Sequence, residues 1–208
     1  PILSKVELEE IYTKYSIPTD EDPRANRNWF RTYKLSKQRN KVILSLLVNQ
    51  GLTTAEVNKI EVKDLKLRDG EIYIHGSRKS NERTLKLKSN QIMDLMEYLY
   101  KTRVELIKYQ ENEKVDLLFL PTPVVSKKSA GNSLNIWKRL AQEIKEEHPK
   151  FIRLRQIRTS VITHWLKQYN LREVQYMAGH RYVSTTERYF LNQTDDLLKD
   201  IDQFHPLG

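Results

Sequence analysis

The 208-residue chain contains no cysteine, which excludes disulfide bonds and thiolate chemistry. No apolar run approaches the roughly 20 residues that a membrane-spanning helix requires. The first residues, PILSKVELEEIY, hold no basic segment followed by an apolar one, so no signal peptide is expected. Repeats and low-complexity segments are also lacking. These absences leave a cytoplasmic globular protein as the simplest expectation. The 38% hydrophobic content and the length suffice for one sizeable core or two small domains. Charge is the outstanding feature: 36 Lys+Arg against 27 Asp+Glu give a formal net charge of +9. Such a basic chain fits a polyanionic partner, most often nucleic acid, although solubility alone would use the same charge.

Hydrophobic spacing divides the chain into segments. Ser4 to Tyr15 reads as an N-capped amphipathic helix, and the polar stretch 17–28, with Pro18 and Pro23, as a loop. From Arg24 to Lys41 nearly every charge is positive, interleaved with Trp29, Phe30 and Tyr33. That run suits either a phosphate backbone or the solvated face of a helix. Lys41 to Gln50 reads as a core helix that Gly51 ends, and Thr53-Thr54-Ala55-Glu56 as a capping box opening the next. Period-2 alternation then pairs Leu65/Leu67, Ile72/Ile74 and Leu85/Leu87 around turns at Asp69-Gly70 and Ser77–Asn81, predicting a three-stranded antiparallel meander. Its second turn presents Arg78 and Lys79. Asn90–Tyr109 and Ser133–Glu147 read as further helices, separated by a charged loop and an apolar stub at Leu117–Leu120. The tail from Asp195 to Phe204 is short and amphipathic. The expected fold class is α+β and mainly α-helical, with helices around a small antiparallel sheet.

The stretch from Arg155 to Tyr189 concentrates the groups that can act on a phosphate. Arg155 and Arg158 lie one helical turn apart, ahead of an apolar face made by Val161, Ile162, Trp165 and Leu166. Gly179 is placed to end a helix at His180. Ser184-Thr185-Thr186-Glu187 reads as the N-cap of a helix carrying Tyr189. A tyrosine at such a helix start, beside an imidazole and arginines, can approach a phosphodiester. An ordinary phenol ionises only at about pH 10, so attack needs cations to stabilise the phenolate and the pentacovalent phosphate.

Four segments together resemble a known family. MAGHRYVSTTERY is similar to the L-G-H-x-x-x-x-T-T-x-x-Y signature of the tyrosine recombinases, the phage integrase family, and QIRTSVITHWL resembles its D-L-R-H-T-x-A-T-H-L-L box. GLTTAEVNKIEVKDL resembles G-L-R-x-S-E-L-x-x-L-x-x-x-D-I, and ILSKVELEEI the start of the catalytic domain. The resemblance implies a catalytic domain over residues 1–208, without the separate N-terminal DNA-binding domain that members usually carry. It implies a site-specific recombinase or integrase acting on double-stranded DNA, needing no metal or cofactor, with a homo-tetramer assembled on the DNA through the tail. Tyr189 falls on the nucleophile that forms a 3′-phosphotyrosyl bond, and His180 on the histidine that donates to phosphate or phenol. Arg158 falls on the arginine that clamps the non-bridging oxygens. Lys79 matches the lysine that protonates the leaving 5′-oxygen, with Arg78 as the alternative. Two positions depart from the pattern: Thr53 stands where the family has its first arginine, and Arg155 where it has the histidine of H-x-x-R. The expectation is that Arg155 supplies the positive charge missing at Thr53. The alternative is a family member impaired in catalysis that acts as a DNA-binding protein.

Overall fold

The computed structural model describes residues 1–110, 115–122 and 133–190, with the side chains of 133–135 left aside. The amphipathic tail from Asp195 to Phe204 lies outside the described residues. At the centre runs helix α2 (Phe30–Gln50), whose segment Val42–Leu47 is buried on every side. A helix that is apolar all round its axis belongs in the middle of a fold, and α2 is flanked there by α1 (Lys5–Thr13) and by the helices described below. α1 starts as its sequence predicts, with a capping box in which Ser4 and Glu7 satisfy each other's backbone N–H groups.

α2 begins earlier than the apolar run beginning at Lys41 predicts, because two basic residues within it are buried. The Lys37 ammonium lies 3.3 Å from Glu143 and over the Tyr15 ring. Arg39 donates to the Leu120 carbonyl and the Asn40 side chain, and burial lowers its pKa to about 10. Arg24, Arg31 and Lys34 meanwhile pair with Asp22, Glu105 and Asp20. Much of the basic run between Arg24 and Lys41 therefore serves the fold itself.

Gly51 ends α2 in the left-handed conformation, φ 59°. Helix α3 (Thr54–Val57) follows at once with the predicted Thr53/Glu56 capping box. It lasts a single turn, shorter than its sequence pattern suggests. The Val62 N–H bonds the Asp116 carbonyl and the Leu118 N–H bonds the Ile60 carbonyl, which holds 60–62 against the apolar stub Leu117–Leu120. The predicted meander is present as β1 (Leu65–Lys66), β2 (Glu71–Ile74) and β3 (Arg83–Lys86), all antiparallel in that order. Ile72, Ile74 and Leu85 face the core; Arg83, opposite Ile74, does so too.

The long helix expected over Asn90–Tyr109 is continuous but changes its winding. α4 (Ser89–Glu97) passes through a π-helical turn at Tyr98–Thr102 into α5 (Arg103–Ile107). The wider turn places the buried Tyr98 hydroxyl on the Leu118 carbonyl, while Arg103 binds the carbonyls of Val115, Leu117 and Leu118. Helix α6 (Ser133–Glu147) docks through Trp137, Leu140 and Ile144. α7 (Leu154–Leu166) and α8 (Leu171–Ala178) complete the frame, and residues 183–190 form helix α9.

Gly51 supplies a direct test of this frame. An added Cβ would sit 3.1 Å from Val161 Cγ1 and 3.3 Å from the Trp165 ring, at a backbone angle that L-residues avoid. Gly51→Ala is expected to destabilise the protein by about 1–2 kcal/mol in urea unfolding, from the left-handed strain alone, and to loosen the α2–α7 contact.

Candidate active site

The site is built on the C-terminal end of α8. Gly179 closes that helix in the left-handed conformation at φ 68°, and the His180 N–H reaches back to the Gln175 carbonyl. This is the glycine-capped ending that the sequence predicts. The last carbonyls of the helix then face outward as acceptors at the negative end of its dipole. Three different segments bind them. Arg83 Nε donates to the Met177 carbonyl at 2.7 Å, Arg158 Nη2 to the Ala178 carbonyl at 2.6 Å, and the Asn81 N–H to the Gly179 carbonyl at 2.9 Å. The fit around Gly179 is close: a Cβ there would lie 2.4 Å from Arg83 Nη1. Glycine is therefore required twice at this position, by backbone angle and by space.

Between the two guanidinium groups lies the carboxylate of Glu56, at the N3 position of α3. Arg83 Nη1 donates to Oε1 at 2.7 Å. Oε2 accepts from the Thr53 N–H at 2.8 Å and from the Thr53 hydroxyl at 2.9 Å. Arg158 Nη1 is 3.6 Å from Oε2 and gives its hydrogen bond to the Gly51 carbonyl at 2.6 Å. Burial pushes the Glu56 carboxyl up, but the charges of Arg83 and Arg158 and the Thr53 cap outweigh it and hold its pKa below the usual value. Two arginines against one carboxylate leave this buried cluster with one net positive charge.

His180 stands beside this cluster and is itself buried. Its pKa is lowered to about 4, first by burial and then by repulsion from Arg158 and Arg83, so the imidazole is neutral at pH 7. Nδ1 shares a 2.9 Å hydrogen bond with the hydroxyl of the fully buried Thr186, which fixes the ring. The phenol ring of Tyr189, one turn further along α9, stacks on the imidazole with centroids 5.6 Å apart and planes inclined by 18°. Tyr189 also acts electrostatically on Arg158. It borders an open cleft of about 470 Å³ whose other walls include Arg153, Arg155, Thr185 and Arg188.

Of the residues singled out from the sequence, Arg158, His180 and Tyr189 converge on one point. Arg155 is exposed on the first turn of α7 and lines the same cleft as Tyr189. Lys79 and Arg78 are exposed on the loop between β2 and β3. That loop is fastened beside His180 through a Ser80–His180 bridge and an Arg181 bond to the Arg78 carbonyl. Thr53, in place of the expected arginine, is engaged by its cap. α9 begins at 183, ahead of the cap read at Ser184, and its start carries a bond from the Thr185 N–H to the Tyr182 carbonyl. The Thr186 hydroxyl is thereby released to His180.

Sequence reasoning missed Glu56, Arg83 and Thr186 as parts of the site. Only Arg83 left a usable signal: it shares the period-2 face of Leu85 and Leu87, where a charge must find a partner. Among the described residues no group of three His, Asp or Glu side chains is arranged to hold a metal ion.

A helical frame around a three-stranded sheet, with a tyrosine, an imidazole and a partly buried arginine meeting at helix ends, defines the class. The model of the phage integrase family matches residues 25–195, and the chain belongs to that family, the tyrosine recombinases. The tyrosine recombinase XerD of Staphylococcus saprophyticus subsp. saprophyticus is 30% identical over 175 residues, covering 83% of this chain and 57% of that protein. The XerD of Staphylococcus epidermidis is 31% identical over 170 residues, covering 81% of this chain and 55% of that one. The chain thus spans little more than half the length of these relatives. Among solved structures, the XerH site-specific recombinase bound to palindromic difH substrate, a post-cleavage complex, matches with a TM-score of 0.66 at 21% identity, over 96% of this chain and 52% of that one. The Tn1549 transposon integrase in complex with transposon right end DNA matches with a TM-score of 0.58 at 14% identity, over 98% and 66%. At these identities the structural matches establish the fold.

The His180 geometry has a pH consequence. Because its folded pKa is depressed, the unfolded chain binds the proton more readily, so His180 costs stability as pH falls from about 6.5 toward about 4. His180→Gln is expected to flatten part of that acid limb while leaving the neutral-pH difference constant, as read by urea unfolding at stepped pH. An acid limb identical to the parent's would show that His180 is not held neutral by its surroundings.

Proposed function

We propose that the chain is the catalytic part of a site-specific DNA recombinase or integrase that cuts and rejoins double-stranded DNA. The observation that carries this reading is the Tyr189 phenol stacked on His180 beside Arg158, at the rim of a basic cleft. The Tyr189 oxygen attacks the scissile phosphorus, the P–O5′ bond breaks, and a 3′-phosphotyrosyl bond to DNA is left with a free 5′-hydroxyl. Beyond its bonds to the Gly51 and Ala178 carbonyls, Arg158 keeps N–H donors toward Tyr189, in a fork suited to the non-bridging oxygens. His180, oriented by Thr186 and neutral, donates from Nε2 to the phosphate when the threonine hydroxyl donates to Nδ1. Lys79 protonates the leaving oxygen, with Arg78 its neighbour on the same loop. Arg155 adds positive charge from the outer wall of the cleft. Rejoining is the same path reversed by a different 5′-hydroxyl.

Support for DNA as the partner comes from the +9 charge and from the XerH and Tn1549 structures, which were solved on DNA. A homo-tetramer assembled on the DNA is part of the same proposal. A second reading is favoured by one observation: Thr53, where an arginine is expected, is fully committed to the α3 cap. On that reading the chain binds DNA without cutting it.

Nicked duplexes of randomised sequence separate the two, since covalently captured DNA survives denaturing electrophoresis. Adducts are expected with the parent protein and not with Tyr189→Phe; binding without adduct would establish the second reading. Arg158→Ala and Arg155→Ala are each expected to slow capture on a selected duplex by about 100-fold or more. A normal rate with Arg155→Ala would remove that residue from the mechanism. Lys79→Ala is expected to regain cleavage on DNA with a 5′-thiolate leaving group, which needs no protonation, and Arg78→Ala to behave as the parent.

A further inference from the structure

Arg83 is the one buried cation of the site to which neither the sequence motifs nor the proposed chemistry assigns a part. Its side chain is wholly buried, yet it does not touch the cleft. Nη1 neutralises Glu56, Nε binds the Met177 carbonyl, and Nη2 is buried without a partner. An arginine kept in the interior with one donor unsatisfied is a poor choice for stability alone. Its value must lie in what it does to its neighbours.

The competition for Glu56 shows what that is. This carboxylate is buried and must be matched by a cation. Two are within reach, Arg83 in hydrogen-bond contact and Arg158 at 3.6 Å. Arg83 takes Oε1 while the Thr53 cap takes Oε2, the oxygen nearest Arg158, so Arg158 stands 3.6 Å off without a hydrogen bond to Glu56. Arg158 gives its hydrogen bonds instead to two neutral carbonyls, Gly51 and Ala178, and pairs with Glu56 only across 3.6 Å, beside Tyr189. Carbonyls orient a guanidinium without cancelling its charge, whereas a carboxylate would do both.

We propose that Arg83 is a positioning residue: by holding Glu56 it keeps Arg158 from closing onto that carboxylate and leaves it available to an incoming phosphate. The inference rests on the strand-transfer reading for its functional consequence, but its structural part stands apart from it. Without Arg83 the nearest cation to Glu56 is Arg158, which needs to move by less than an ångström to turn its 3.6 Å ion pair into a hydrogen bond.

The test combines a structure with a rescue. In a crystal structure of Arg83→Met, Arg158 is expected in hydrogen-bond contact with Glu56; Arg158 still seated on the Gly51 and Ala178 carbonyls would overturn the proposal. In single-turnover capture of a selected nicked duplex at saturating DNA, Arg83→Met is expected to lose about 100-fold in rate. Arg83→Lys is expected to retain more of the rate than Arg83→Met. The double variant Glu56→Gln/Arg83→Met removes the competing carboxylate and is expected to recover to within about tenfold of the parent. A purely structural ion pair would instead show losses that follow the melting temperature, with no separate recovery of rate. If Arg83→Met does not fold, the double variant alone decides, because an inactive folded double variant overturns the proposal. If the parent forms no adduct, the strand-transfer reading falls, and the position of Arg158 in the Arg83→Met structure, or in the double variant should the single one not fold, still decides this one: in the double variant Arg158 is expected on its carbonyls, and a displaced Arg158 overturns it.

Discussion

The organisation of the site depends on a single buried carboxylate. Glu56 sits where α3, β3 and α7 meet the end of α8, and its two oxygens are claimed by Arg83 and by the Thr53 cap. A charge in that position cannot be left unmatched, since an isolated buried carboxylate costs several kcal/mol. Satisfying it draws together segments separated by more than a hundred residues. The same two arginines that face Glu56 bind the terminal carbonyls of α8, which sets the direction in which the chain leaves that helix and so the position of His180.

From this node the remaining geometry follows by short links. His180 is fixed from behind by Thr186 and covered by the ring of Tyr189, so the orientation of the phenol is tied to that of the imidazole. The loop between β2 and β3, which carries the exposed Lys79, is fastened to the same segment through Asn81, Ser80 and the Arg181–Arg78 bond. The buried pairs therefore lie behind Tyr189, while exposed arginines line the cleft in front of it. That division suits a polyanion: the inner groups hold geometry while the outer ones supply attraction.

Parts of this were legible from residues alone because their causes are local. Gly51 and Gly179 mark helix ends through backbone angles that only glycine adopts easily, and the Thr53–Glu56 box is a contact between residues three apart. The meander showed itself through strict alternation, and the family resemblance located Arg158, His180 and Tyr189 through fixed spacing within two boxes. The extent of α2 was hidden, since Lys37 and Arg39 look like surface residues until Glu143 and the Leu120 carbonyl are brought to them from far along the chain. The assignment of Thr186 failed for a similar reason. A threonine near a helix start is usually a cap, and only its proximity to His180 gives its hydroxyl a different partner.

What the sequence determined by itself is the fold class and the family, and it marked the candidate groups of the site, since each is written in spacing along the chain. Tertiary structure alone decided how those groups are charged and held. How closely Arg158 approaches Glu56 is set by a competitor, Arg83, twenty-seven residues from the carboxylate and ninety-four from the carbonyl it binds. A competition between two guanidinium groups for one carboxylate is settled by distances of a few ångströms, and sequence separation carries no record of them.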